Sequence, residues 1–138
     1  MGILHDHIEY ELSKIKQWYL QNYPLCVFCG HRVRKHGDLA HLIRRSYSMD
    51  MMAMKLNTGL AHRNCHECFD NDPVNAVYLP RILEVLYIIW LLDRQYFSQI
   101  SESYPIYNDL FGLFPVHYDN YPFIPDHHGE VIQLWYLV

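Results

Sequence analysis

Residues 61–72 read AHRNCHECFDND, crowding two histidines, two cysteines and three carboxylates into one short segment. One metal ion cannot use them all. On a helix advancing about 100° per residue, Cys65 and Cys68 share one side, whereas His66 and Asp70, spaced i, i+4, share another roughly 150° away. The stretch therefore reads as the meeting point of two sites. Sulfur ligands face a structural metal, and an imidazole–carboxylate pair faces elsewhere, where it suits a harder, exchangeable divalent ion.

The sulfur site needs a second half, and LCVFCG (25–30) supplies it. Cys26-Val-Phe-Cys29-Gly30 is a knuckle whose glycine lets backbone amides approach two thiolates. All four cysteines of the chain fall into two Cys-x-x-Cys pairs, at 26/29 and 65/68. The opening MGILHDHIEY has no long apolar core, so no signal peptide is expected, and paired thiols then read as a zinc site in a reducing cytosol. Two completions are open: Cys65 with Cys68, giving an all-cysteine site, or His62 with Cys65, giving a site of three cysteines and one histidine. Either leaves a gap of more than thirty residues between half-sites, longer than the roughly 15–20 of a simple zinc ribbon. A hairpin carrying His41 and Asn57 fills it.

Composition bounds the rest. At 138 residues with 51% hydrophobic and 19% charged side chains, the chain suits one globular domain with a true core. The net charge is −4, yet residues 26–63 hold seven basic side chains against two acidic ones. A basic island in an acidic chain is the footprint of a phosphate-binding face, with a solvated basic loop as the plainer alternative.

Apolar spacing predicts a helix over 6–21, ended by Pro24. Residues 38–57 read as two strands, DLAHLIRR and MAMKLN, around a methionine-rich loop that packs rather than binds metal. A helix is expected from about Asn64 to before Asp72, and a single helix from Pro80 to Ser98. The latter's apolar run contains Glu84 and falls short of the roughly 18–20 residues of a membrane span. It reads as buried or packed on a partner, so a homodimer or larger assembly through 80–98 is compatible with it. Residues 104–138, rich in Tyr, Pro and His, have little helical pattern and end in VIQLWYLV, a strand-like run. His5, His7, His117, His127 and His128 have no partnered spacing and read as solvated.

Taken in order, CVFCG, AHLIRRS (40–46), Asn57-x-x-Leu60 and a Cys-His pair nine residues after the asparagine resemble the HNH endonucleases of the ββα-metal, or His-Me finger, superfamily. The resemblance covers about residues 25–72. It implies an α+β fold with a zinc-stabilised, treble-clef-like ββα-metal core, to which the apolar spacing adds flanking helices at 6–21 and 80–98 and the composition an irregular aromatic extension over 104–138. It also implies metal-dependent hydrolysis of DNA phosphodiesters. His41 would be the general base, Asn57 the middle asparagine and His66 a catalytic residue that ligates the divalent ion (Mg2+, Mn2+ or another) with Asp70. The register favours Cys26, Cys29, His62 and Cys65 around zinc, with Cys68 the alternative ligand. Many relatives carry an acid just before the first histidine; here that position is Ala40, so Asp70 or another carboxylate such as Asp38 must supply the negative ligand. Arg44, Arg45, Lys55 and Arg63 are the expected phosphate contacts, and strand geometry puts only one of Arg44 and Arg45 in the site. Small members are common in phages, which implies DNA as partner, no membrane, and the host cytoplasm as location. The competing expectation is a non-catalytic zinc module that binds DNA or a protein and treats His41 and His66 as incidental.

Overall fold

A computed structural model of the chain describes residues 2–34, 36–111, 123–125 and 131–133. The fold is α+β, a set of helices around a small two-stranded antiparallel sheet. Helix α1 (Gly2–Asn22) buries Leu12, Ile15 and Tyr19, the i, i+3, i+7 stripe that its spacing predicts. The Tyr19 hydroxyl sits 2.8 Å from the Lys55 carbonyl and 2.9 Å from that of Thr58, fixing the helix to the sheet.

The knuckle follows at once. Cys26 N–H donates to the His31 carbonyl and Gly30 N–H to that of Cys26, closing a tight turn. Gly30 has φ +83°, a left-handed conformation that glycine adopts without a Cβ penalty. Val27 N–H donates to the Leu60 carbonyl at 2.8 Å, stitching the knuckle onto the sheet. That approach needs a bare backbone: a Cβ on Gly59 would lie 2.7 Å from Val27 Cβ.

Strand β1 (Asp38–His41) pairs with β2 (Thr58–Ala61) in the register Asp38↔Ala61 to His41↔Thr58. Both strands differ from expectation. The first ends four residues early, and the second starts at Thr58, with residues Lys55–Asn57 a 3-10 turn instead of strand. The cause is Asn57. Its fully buried carboxamide accepts from Ile43 N–H at 2.7 Å and donates to the carbonyls of Ile43 and Met51, both at 3.1 Å. A side chain thus takes the hydrogen bonds that further strand pairing would have used.

Helix α2 (Arg63–Asn71) follows β2 directly, and the short α3 (Pro73–Ala76) is started by Asp72 and proline. Where one helix was expected over 80–98 there are two, α4 (Ile82–Leu92) and α5 (Arg94–Ser103). Asp93 breaks them: its backbone is extended (φ −160°, ψ 102°) and its carboxylate accepts from Tyr96 N–H at 3.0 Å, capping α5. Helix α4 is the centre of the core, with Ile82, Val85, Leu86, Tyr87, Ile88 and Ile89 buried. None of the described helices is long and apolar enough to cross a membrane. Helix α6 (Ile106–Phe111) lies in the segment expected to be irregular, and a second antiparallel pair joins β3 (Phe123–Pro125) to β4 (Val131–Gln133). His117, His127, His128 and residues 134–138 lie outside the described residues.

Candidate functional site

The knuckle and the start of α2 bring Cys26, Cys29, His62 and Cys65 together, with their ligand atoms all within 4.8 Å of one another. Among the described residues this is the one group of three or more such atoms that closes so tightly. Cys29 Sγ lies 3.4 Å from His62 Nδ1, close to the roughly 3.6 Å edge of a tetrahedron built on zinc bond lengths. His62 Nε2 lies 3.0 Å from the Arg32 carbonyl. A carbonyl only accepts, so the proton sits on Nε2 and Nδ1 keeps its lone pair for a metal, the usual outer-shell orientation of a histidine ligand.

Electrostatics agrees with geometry. Burial pushes the Cys26 thiol up, but backbone amides of His62, Cys29 and Phe28 reverse this and hold it below the usual range. Burial and the neighbouring Cys26 and Cys29 push Cys65 up to about 12. Burial raises Cys29 as well, so the three sulfurs would become thiolates together only with a cation to offset their mutual repulsion. The four residues could hold a metal ion such as zinc, which favours a donor set of three sulfurs and one imidazole nitrogen. Cys68, on the same helix, stands outside the group.

The opposite side of α2 faces a cleft of about 910 Å³. Asp38, His41, His66, Asp70, Arg44 and Arg45 line it, joined by Glu9, Ser13 and Lys16 of α1. His41 Nε2 lies 2.7 Å from the Met52 carbonyl. That fixes the proton of the neutral ring on Nε2 and leaves Nδ1 as the basic nitrogen. Burial lowers its pKa below the ordinary value, outweighing the Met52 carbonyl. The Met51–Met52 backbone that orients His41 is itself held by Asn57, through the Met51 carbonyl.

His66 lies between two carboxylates, with Nδ1 3.1 Å from Asp38 Oδ2 and Nε2 2.9 Å from Asp70 Oδ2. The hydrogen bond to Asp70, against the opposing effect of burial and with help from Asp38, raises its pKa to about 9. Asp38 is pushed up by burial, but hydrogen bonds from His66 and Arg63 prevail and hold its carboxyl below the usual range. Position 40 is no part of this cleft: Ala40 is fully buried, and it is Asp38, two residues earlier, that reaches His66.

The four expected phosphate contacts separate. Arg44 and Arg45 both line the cleft, contrary to the strand argument, because β1 ends at His41 and the chain turns beyond it. Arg44 Nη2 donates to the Asp70 carbonyl at 3.1 Å, and Arg45 pairs with Glu9 at 2.7 Å. Arg63 is an exposed partner of Asp38 at 3.1 Å, outside the cleft lining. Lys55 is elsewhere, its ammonium 4.2 Å from the centroid of the Trp18 ring. Sequence reasoning missed Ser13 and Lys16. The polar positions 9, 13 and 16 do share a helix face, roughly 90° round from the buried stripe, but nothing in the sequence says what that face looks onto. Comparison with known protein families, curated proteins and solved structures gives no significant match.

Proposed function

We propose that the chain is a metal-dependent DNA endonuclease with residues 25–72 as a ββα-metal, treble-clef-like core. The observation that carries this reading is His41: one ring nitrogen is spent on the Met52 carbonyl, and the ring lines the same cleft as His66 and two carboxylates. The free Nδ1 would accept the proton of the attacking water, and burial keeps the imidazole neutral, the form a base requires. Asn57 would act as a positioning residue, because it holds the backbone that holds His41.

The separations of 2.9 and 3.1 Å between His66 nitrogens and carboxylate oxygens suit the roughly 3.0 Å between neighbouring ligands of an octahedral ion with ~2.1 Å bonds. One carboxylate would share the ion with His66 and the other would orient the ring through its second nitrogen. Such an ion supplies charge neutralisation on the scissile phosphate and its leaving oxygen. Arg44 and Arg45 would steady the phosphates that flank it.

The alternative, a non-catalytic zinc module that binds DNA or a protein, is favoured by one observation. Both His66 nitrogens already have carboxylate partners. Plasmid relaxation by zinc-loaded protein with Mg2+ or Mn2+, beside His41→Ala and a metal-free control, separates the two. Metal-dependent nicking that the variant lacks supports the nuclease. Absence of cleavage on every DNA form by folded, zinc-loaded protein supports the module.

A further inference from the structure

Beside the cleft lies a second, smaller hollow that the hydrolytic chemistry leaves unused. It is walled by Phe69, Tyr96, Tyr104 and Tyr107, and it shares Arg44 and Asp70 with the cleft. Arg44 joins the two: its guanidinium donates to the Asp70 carbonyl while its backbone N–H points to the Tyr96 hydroxyl at 3.5 Å. Tyr96 and Tyr107 are buried, so their rings form the floor. Tyr104 is not: it is 43% exposed at the rim, with its ring edge-on to Tyr107 at 6.0 Å. The hollow holds about 60 Å³, room for a few water molecules. A planar base is larger than that, so one that enters would extend over the exposed Tyr104 at the rim.

We infer that this hollow is a subsite for an unpaired nucleobase flanking the phosphate held at Arg44, with Tyr104 as the stacking platform. The inference rests on the nuclease reading and adds a substrate class to it. A cation bordered by an aromatic face is the pairing that tracks a single strand, since the phosphate takes the charge and the base takes the ring. In a duplex both faces of each base are covered by neighbours. A base can reach Tyr104 only where it is unpaired, in a single strand, a flap or a branch. The protein therefore selects DNA with unpaired bases next to the bond it addresses.

The test uses zinc-loaded full chain carrying His41→Ala, so that bound DNA stays intact. Fluorescence anisotropy compares a single-stranded oligonucleotide with its duplex, and quenching of 2-aminopurine in the single strand reports stacking. The expected result is roughly tenfold tighter binding of the single strand, with quenching. Adding Tyr104→Ala abolishes both, whereas Tyr104→Phe, which keeps the ring, retains both. Equal affinity for the two forms, or single-strand preference and quenching that persist in Tyr104→Ala, overturns the subsite while leaving DNA binding in place. Failure to bind either form overturns the nuclease reading together with it.

Discussion

Helix α2 serves two regions that differ in almost every physical respect. On one side His62 and Cys65 close a sulfur-rich cluster with the knuckle. On the other, His66 and Asp70 face an open cleft of about 910 Å³ beside Asp38 and His41. The first is compact, and its single imidazole is oriented by a backbone carbonyl. The second is a chain of hydrogen bonds in which one imidazole bridges two carboxylates. Soft, closed donor sets hold a metal permanently, and hard, open ones exchange it. On the proposed reading, one short helix would carry a fastening on one side and a working surface on the other.

Removing the fastening should have the largest effect. If the cluster holds zinc, chelation should forfeit binding energy on the order of 10 kcal/mol, and Cys26→Ser should weaken the site. The helical circular dichroism signal should fall and cooperative melting should vanish, whereas Cys68→Ser should keep one zinc per chain by elemental analysis. Should Cys68→Ser lose zinc and His62→Ala keep it, the ligand set given above is wrong. On the working side, His41→Ala should lower DNA cleavage about 10²–10⁴-fold with the melting temperature unchanged. An equal loss of stability would instead make His41 a structural residue.

Asn57→Ala bridges the two kinds of effect. It leaves Ile43 N–H and two carbonyls without their partner inside the protein, which should cost about 2–4 kcal/mol in denaturant unfolding. Cleavage should fall as well, since the Met51–Met52 backbone loosens. The pH profile should show a smaller displacement. Burial lowers the His41 pKa below its ordinary 6.5, so the neutral base persists to lower pH and is lost only below that value. The acid limb of cleavage should therefore have its midpoint under 6.5, and a midpoint above it would assign the limb to another group. Smallest of all, Arg45→Ala should reduce the salt dependence of DNA binding by about one counterion, while Lys55→Ala, whose ammonium lies on Trp18, should leave it unchanged.

Cys26, Cys29 and Cys65 were legible because cysteine spacing is a local property, but that spacing left His62 and Cys68 both open as the fourth member, and the fold brings in His62. The amphipathic stripe of α1 was legible for the same reason, since Leu12, Ile15 and Tyr19 mark one face whatever they pack against. What escaped sequence reasoning depends on side chains acting at a distance. Asn57 ends both strands by bonding to Ile43, fourteen positions away, and no strand propensity registers that. Asp93 splits the apolar run over 80–98 because its carboxylate caps the next helix, a competition that hydrophobicity alone cannot reveal. Lys55 belongs to the basic island by composition, yet it faces Trp18 because the 3-10 turn before β2 aims it there. Charge counted along the chain does not say which charges share a surface.

Gly59 carries no ligand and touches no candidate substrate, but the bare backbone there sets the spacing between the knuckle and the sheet. Any side chain at this position would strike Val27 Cβ, which would lie only 2.7 Å away, and strain the Val27–Leu60 hydrogen bond. Because Val27 is flanked by Cys26 and Phe28, one residue short of Cys29, such a wedge would push two sulfurs away from His62 and Cys65 at the start of α2. Gly59 is therefore a shim of zero thickness, and the closeness of the four candidate ligands depends on a position that no inventory of ligands would include.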